Sequence, residues 1–160
     1  MTLAASIPSP DLAGTYRLAF TADAVCTTFP PIAVTRTYSA DIVRSPLSDT
    51  RYMGSLSGMF ATRLSSHYDR FFVAVSGTFA RFSFWSADEF YGIVEQVGSD
   101  AYVGIAGDAD LVGEGFPIDV PFSGSFTYCE AAKAKTNFFE CATTPTTCGS
   151  TKHRLTITRQ

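Results

Sequence analysis

From Gly14 onward the chain alternates apolar and polar residues with a period of two, and this constrains its fold more than any other feature. Successive side chains on a strand point to opposite faces, so such alternation marks strands with one face buried. Tyr16, Leu18 and Phe20 share a face of a first strand running to Cys26, and Pro30-Pro31 ends the loop after it, because proline cannot donate to a ladder. Tyr38, Ala40 and Ile42 mark a second strand, closed by Ser45-Pro46-Leu47-Ser48-Asp49. Tyr52, Gly54, Leu56, Gly58 and Phe60 mark a third. Ser76-Gly77 separates 71–75 from 78–85 as a two-residue hairpin. Further strands cover 89–97 and 101–110, divided by Gly98-Ser99-Asp100. Gly113-Glu114-Gly115 turns the chain into 116–128, and 152–159 forms the last strand.

Fourteen Phe and seven Tyr, with abundant Thr and Val, favour strands. No stretch offers ten residues of helical period with caps; the best candidate, Glu130–Lys135, allows two turns at most. The expected fold is all-β: a closed antiparallel barrel of eight to ten strands in a meander, with a two-sheet sandwich as the alternative. Closure also removes the exposed edges of an all-β chain. Residues 1–12, with Pro8, Pro10 and Asp11, read as a tail, and 13–160 as a single domain.

Fifteen acidic against twelve basic side chains give a net charge of −3 with no basic cluster. A nucleic-acid partner requires a basic footprint to neutralise phosphates, so none is expected. No apolar run reaches the length of a membrane-spanning helix. Cys26, Cys129, Cys141 and Cys148 lack the CxxC spacing of zinc sites, and only His67 and His153 could add ligands, so neither a metal nor another cofactor is expected. Two disulfides and an oxidising compartment, secreted or periplasmic, are the expectation. Met1-Thr2-Leu3-Ala4-Ala5 lacks the basic region and apolar run of a signal peptide, which reads as a mature chain whose leader has been replaced.

In a closed meander the first and last strands meet. If they run antiparallel, Cys26 at the end of one lies beside Cys148 at the start of the other, leaving Cys129 to pair with Cys141. Cys26–Cys129 with Cys141–Cys148 is the alternative if the strand before Cys129 pairs with the first. A count of nine strands would instead bring the ends together parallel. Antiparallel closure therefore requires that one strand be false or split, or that 129–150 cross the barrel mouth.

No catalytic pattern stands out. Gly54-Ser55-Leu56-Ser57-Gly58 has leucine where a nucleophile elbow needs serine, and it alternates as a strand. His67 falls in a loop, Ser65-Ser66-His67-Tyr68-Asp69, and reads as a solvated histidine, whereas His153 is in phase with Leu155 and Ile157 and reads as a structural histidine facing the interior. Asp108 and Asp110 project from one strand face and could form an acid–base couple or hold a hard cation; a strand end near a turn explains them as well. Asp88-Glu89 reads as a turn after Trp85. Gly104-Ile105-Ala106-Gly107 lacks the lysine and helix of a phosphate loop.

Gly14-Thr15-Tyr16 opens the first strand after a short tail, and Arg154 and Arg159 lie in the last. This resembles the lipocalin and wider calycin arrangement, in which a Gly-x-Trp on the first strand is covered by an arginine from near the chain end. Here Tyr16 stands in the tryptophan's place. The resemblance implies a barrel with a ligand cavity.

Tyr38, Tyr52, Tyr91 and Tyr102 recur on four strands, each offering an apolar ring with a polar tip. Trp85, the only tryptophan, alternates with Arg81, with Phe82 and Phe84 on the other face. Gly54, Gly58, Gly104 and Ala106 withhold volume, which makes a cavity physically reasonable. The expected function is non-enzymatic binding of a small apolar or aromatic molecule inside the barrel, walled by Trp85, Tyr38, Tyr52, Tyr91 and Tyr102, with Arg81 anchoring an anionic group. An isomerase or cyclase shaping a substrate in the same cavity is the first alternative. A structural or adhesive domain with a packed barrel is the second.

Overall fold

The computed structural model describes residues 11–57, 64–85, 92–98, 100–112, 117–130, 133–134, 139–141 and 144–160, with the side chains of 64–68, 133–134 and 139–140 outside that description. The elements are β1 (Gly14–Thr21), α1 (Pro31–Val34), β2 (Thr35–Arg44), β3 (Arg51–Ser57), β4 (Leu64–Ser76), β5 (Phe79–Phe84), β6 (Ile93–Val97), β7 (Ala101–Val112), β8 (Ile118–Cys129), β9 (Lys133–Ala134), β10 (Phe139–Glu140) and β11 (Thr146–Arg159). Every neighbouring pair is antiparallel, and β11 returns to β1 with Tyr16 opposite Arg159 and Thr21 opposite Arg154. The sheet is thus a closed eight-stranded barrel with one extra strand, which settles the barrel over the sandwich.

The extra strand explains how a count of nine closes antiparallel. β5 pairs with the second half of β4 and of β7, and β6 pairs with the first half of each. β5 and β6 run in the same direction and lie end to end, forming one interrupted position in the wall. Gly92 is pressed against the Phe84 backbone, where a Cβ would overlap the Phe84 carbonyl. The Gly92 amide also donates to Ile105 O at 3.0 Å, so the chain re-enters the wall where it left.

Side-chain alternation then fills the interior. Tyr16, Leu18 and Phe20 of β1, Tyr38, Ala40 and Ile42 of β2, Phe71 and Val73 of β4, Phe82 and Phe84 of β5, Phe122 and Phe126 of β8, and Leu155 and Ile157 of β11 are all buried. Phe84 stacks on Phe71 at 4.8 Å and meets Phe20 edge-on at 5.0 Å, and Phe20 meets Phe122 at 5.3 Å. The space expected beside Gly54 is taken by the Phe71 ring from the adjacent strand, and Phe122 closes on Gly107 in the same way. The glycines therefore admit aromatic rings from neighbouring strands.

The hairpin at Ser76-Gly77 forms one residue later than expected, with Gly77 at φ 59° between β4 and β5. The first strand ends at Thr21, short of Cys26, and the loop expected over Ser65–Asp69 is instead strand, because β4 already begins at Leu64. Pro31 does not merely end a loop: it opens the single helical turn α1, where its fixed φ suits the first helical position. The helical expectation for Glu130–Lys135 fails, since Lys133–Ala134 is the strand β9, paired with β10. Leu12 already belongs to the core: it is buried, and its carbonyl accepts from Tyr16 Oη at 2.9 Å.

Cys26 pairs with Cys148 and Cys129 with Cys141, at Cα separations of 5.8 and 5.7 Å. The first joins the turn after β1 to the beginning of β11. The second pins the segment after β8 against the outside of the wall, where Val94, Tyr102 and Cys129 form a separate buried cluster with Cys141.

Candidate functional site

One end of the barrel is closed by a packed seal. The Arg159 guanidinium lies 5.6 Å over the Tyr16 ring, and its Nη2 donates to Ala13 O at 2.8 Å. Tyr52 is at this end too, buried, with its hydroxyl accepting from Arg44 Nη2 at 3.0 Å.

The other end carries α1. The segment 22–34 crosses that mouth and is held at several points. The Ala22 amide donates to Val34 O at 2.8 Å, and Ala33 is fully buried. The Asp23 amide donates to His153 Nδ1 at 2.9 Å, Ser150 Oγ donates to Asp23 Oδ2 at 2.5 Å, and the Cys26–Cys148 bond fixes the far side. These contacts bring serine, aspartate and histidine together without making a catalytic triad: the Asp23 carboxylate serves Ser150, and His153 is engaged by a backbone amide. With Nδ1 accepting, neutral His153 carries its proton on Nε2. Burial lowers its pKa, while the nearby carbonyls of Gly124 and Cys148 and the Asp23 charge act in the opposite direction.

Directly below α1, charged groups enter the lumen. Arg36 follows α1 on β2, in phase with Tyr38, Ala40 and Ile42; Glu95 lies on β6, in phase with Ile93 and Val97. Arg36 Nη2 forms an ion pair with Glu95 Oε1, and the two residues are 7% and 0% exposed. Arg36 Nη1 also donates to Ile32 O of α1 at 3.3 Å. Tyr38 completes the group. Burial raises its hydroxyl pKa well above 10, helped by the Glu95 charge and opposed by Arg36. Two depressions of about 350 and 390 Å³ open beside α1. Thr28, Phe29 and Pro30 line the first, and Ile32, Val97 and Ala101 the second; both share Tyr128 and Glu130.

The residues expected to wall one cavity are spread apart. Tyr38 and Tyr52 face inward, but at opposite ends of the lumen. Tyr102 faces outward, because Val103 and Ile105 take the interior phase of β7, and it is covered by the Cys129–Cys141 segment. Trp85 and Arg81 are corrected to the outer wall, since Phe82 and Phe84 occupy the interior face of β5. Trp85 is 41% exposed and its Nε1 donates to Asp108 Oδ2 at 2.9 Å. Arg81 grips Asp110 through Nε and Nη2 at 2.8 and 3.0 Å, which holds the Asp110 carboxyl below its ordinary pKa. Asp108 and Asp110 do share a face, yet each serves a different partner. Tyr91, Asp88, Glu89, Gly58 and the His67 side chain lie outside the described residues.

Sequence reasoning missed Arg36 and Glu95, although a signal was present: each is a charged residue in phase with the apolar positions of its strand. Among the described residues no group of three or more His, Cys, Asp or Glu side chains gathers to hold a metal ion, and no helix is long and apolar enough to cross a membrane. Comparison with protein-family models, with curated proteins and with solved structures finds no match to this chain.

Proposed function

We propose that this barrel is a non-enzymatic binding domain for a small apolar or aromatic molecule, taken up at the α1 end. The observation that carries the reading is the Arg36–Glu95 pair with Tyr38, buried in the lumen below a one-turn cover whose Ile32 accepts from Arg36 and lines one of the two depressions. A barrel built only to be stable gains little from such a pair, because desolvating two charges offsets most of their attraction. Binding sites, by contrast, set a few polar groups among apolar walls to orient a ligand. Phe29, Ile32, Val97 and Ala101 supply those walls.

The Gly14-Thr15-Tyr16 opening and the Arg159 guanidinium over Tyr16 support a calycin-like relationship. The two disulfides support an oxidising compartment, extracellular or periplasmic. The filled middle of the lumen favours a second reading, a structural barrel whose mouth is only a surface feature.

Native mass spectrometry of protein purified without denaturation separates the two. Binding predicts a co-purifying small molecule, or saturable one-to-one uptake when a mixture of aromatic compounds is added. Unliganded protein throughout would favour the structural barrel.

A further inference from the structure

We infer that His153 is an acid-released latch on the segment covering the α1 mouth: the neutral imidazole holds the segment down through the Asp23 amide, and the imidazolium lets it go. The latch does not depend on what the mouth binds.

The tie sits at the start of the cover. Residues 22–34 leave the end of β1 and return into β2, and the Ala22 amide closes that loop on Val34 O at 2.8 Å. One residue beyond this neck, the Asp23 amide donates to His153 Nδ1 at 2.9 Å, which binds the loop to β11. Nδ1 accepts only while its lone pair is free. Protonation places an N–H on both ring nitrogens, so two donors then face each other and the Asp23 amide loses its acceptor. The ring itself has little reason to leave. It is fully buried and stacks on Phe126 at 4.5 Å, an aromatic face that tolerates a cation. Asp23 is only half-buried, so the loop is the side that yields. Cys26–Cys148 keeps the loop tethered, so release loosens the cover without detaching it.

The rival acceptor is the Asp23 carboxylate, which could take the new proton on Nδ1 and clamp the loop instead. Both of its oxygens are engaged: Ser150 Oγ donates to Oδ2 at 2.5 Å and the Val25 amide to Oδ1 at 3.3 Å. These donors, Ser150 first, hold the carboxyl below its ordinary pKa, so Asp23 stays ionised while an imidazole titrates. Around the ring, β8 contributes Phe122 and Phe126, and β1 ends in Phe20 and Thr21. On β11 itself, Lys152 acts on the Asp23 charge and Arg154 is turned outward to Asp119. Among the described residues, Asp23 is the charged group that acts on His153, and burial outweighs it, lowering the histidine's pKa. The latch is therefore closed at neutral pH and opens on the acid side of an ordinary histidine.

The test follows amide hydrogen exchange by NMR in the ligand-free protein between pH 7.5 and 4.5, corrected for the intrinsic pH dependence of exchange. A His67→Gln background leaves His153 as the single imidazole, whose ring nitrogens report its titration. Protection of the Asp23 amide should fall by at least about tenfold as the imidazole protonates, while Leu18 in the middle of β1 keeps its protection. His153→Gln supplies an acceptor that does not titrate, so its Asp23 protection should not change with pH; the titration of the histidine protein decides the matter even if this variant does not fold. Four results overturn the latch: Asp23 protection that is unchanged across the imidazole transition, protection that rises because the carboxylate clamps the imidazolium, a fall shared equally by Leu18, or an imidazole that stays neutral throughout.

Discussion

Arg36 on β2 and Glu95 on β6 join strands that are not neighbours in the barrel wall through an ion pair buried inside the lumen. Removing one partner strands the other charge away from water. Arg36→Met or Glu95→Leu alone should therefore cost about 3–5 kcal/mol, while replacing both together should be near neutral or stabilising. Chemical denaturation of the two single variants and the double variant checks this. Additive losses would show that the pair contributes little as a unit.

The two disulfides should differ in weight. Cys26–Cys148 spans 122 residues of sequence and Cys129–Cys141 only 12. In the chain-entropy picture the long closure contributes on the order of 4–5 kcal/mol and the short one roughly 3. Serine replacement of Cys26 and Cys148 should lower the melting temperature further than replacement of Cys129 and Cys141, as read by calorimetry. The long bond also holds the segment carrying α1, so its loss should loosen the mouth, seen as faster amide exchange at Ala33.

His153 should make stability depend on pH. Burial lowers its pKa in the folded state, whereas the unfolded value is about 6.5. Between those values the unfolded chain binds more protons, so the contribution is fully present above about pH 6.5. It is lost as pH falls toward the folded pKa and then levels off. His153→Gln should flatten the melting-temperature profile between pH 7.5 and 5; an unchanged slope would assign it to other groups.

Gly54 accommodates the Phe71 ring, and an added Cβ would overlap that ring. Gly54→Ala should destabilise the barrel by on the order of 1–3 kcal/mol through overpacking. A denaturant midpoint equal to the wild type would mean that the ring moves freely into unfilled space.

Much of the fold was legible because alternation reports burial directly. The strands of Tyr16, Tyr38 and Tyr52 and the turn near Gly77 follow from alternation and spacing; the tyrosine–arginine seal is implied by the calycin resemblance, and the disulfide pairs follow only on the condition that the meander closes antiparallel. The site was less legible. Alternation puts Trp85 with Arg81 and opposite Phe82 and Phe84, but it does not say which set is inside; packing in the closed barrel decides that. Tyr102 is apolar enough for the lumen, and it is buried by a disulfide-held segment from elsewhere in the sequence. Gly54 suggested empty volume because the ring that fills it belongs to another strand. Arg36 and Glu95 are far apart in sequence, and only closure brings them together.

The most direct test of the mouth as the binding site is a two-dimensional amide NMR titration with 2-acetylnaphthalene. Saturable shifts should gather at Ile32, Ala33, Val97, Ala101 and Tyr128, and the indole N–H of Trp85 on the outer wall should stay in place. Shifts centred on Trp85 and Arg81 with a silent mouth, or no saturable shifts at all, would contradict it.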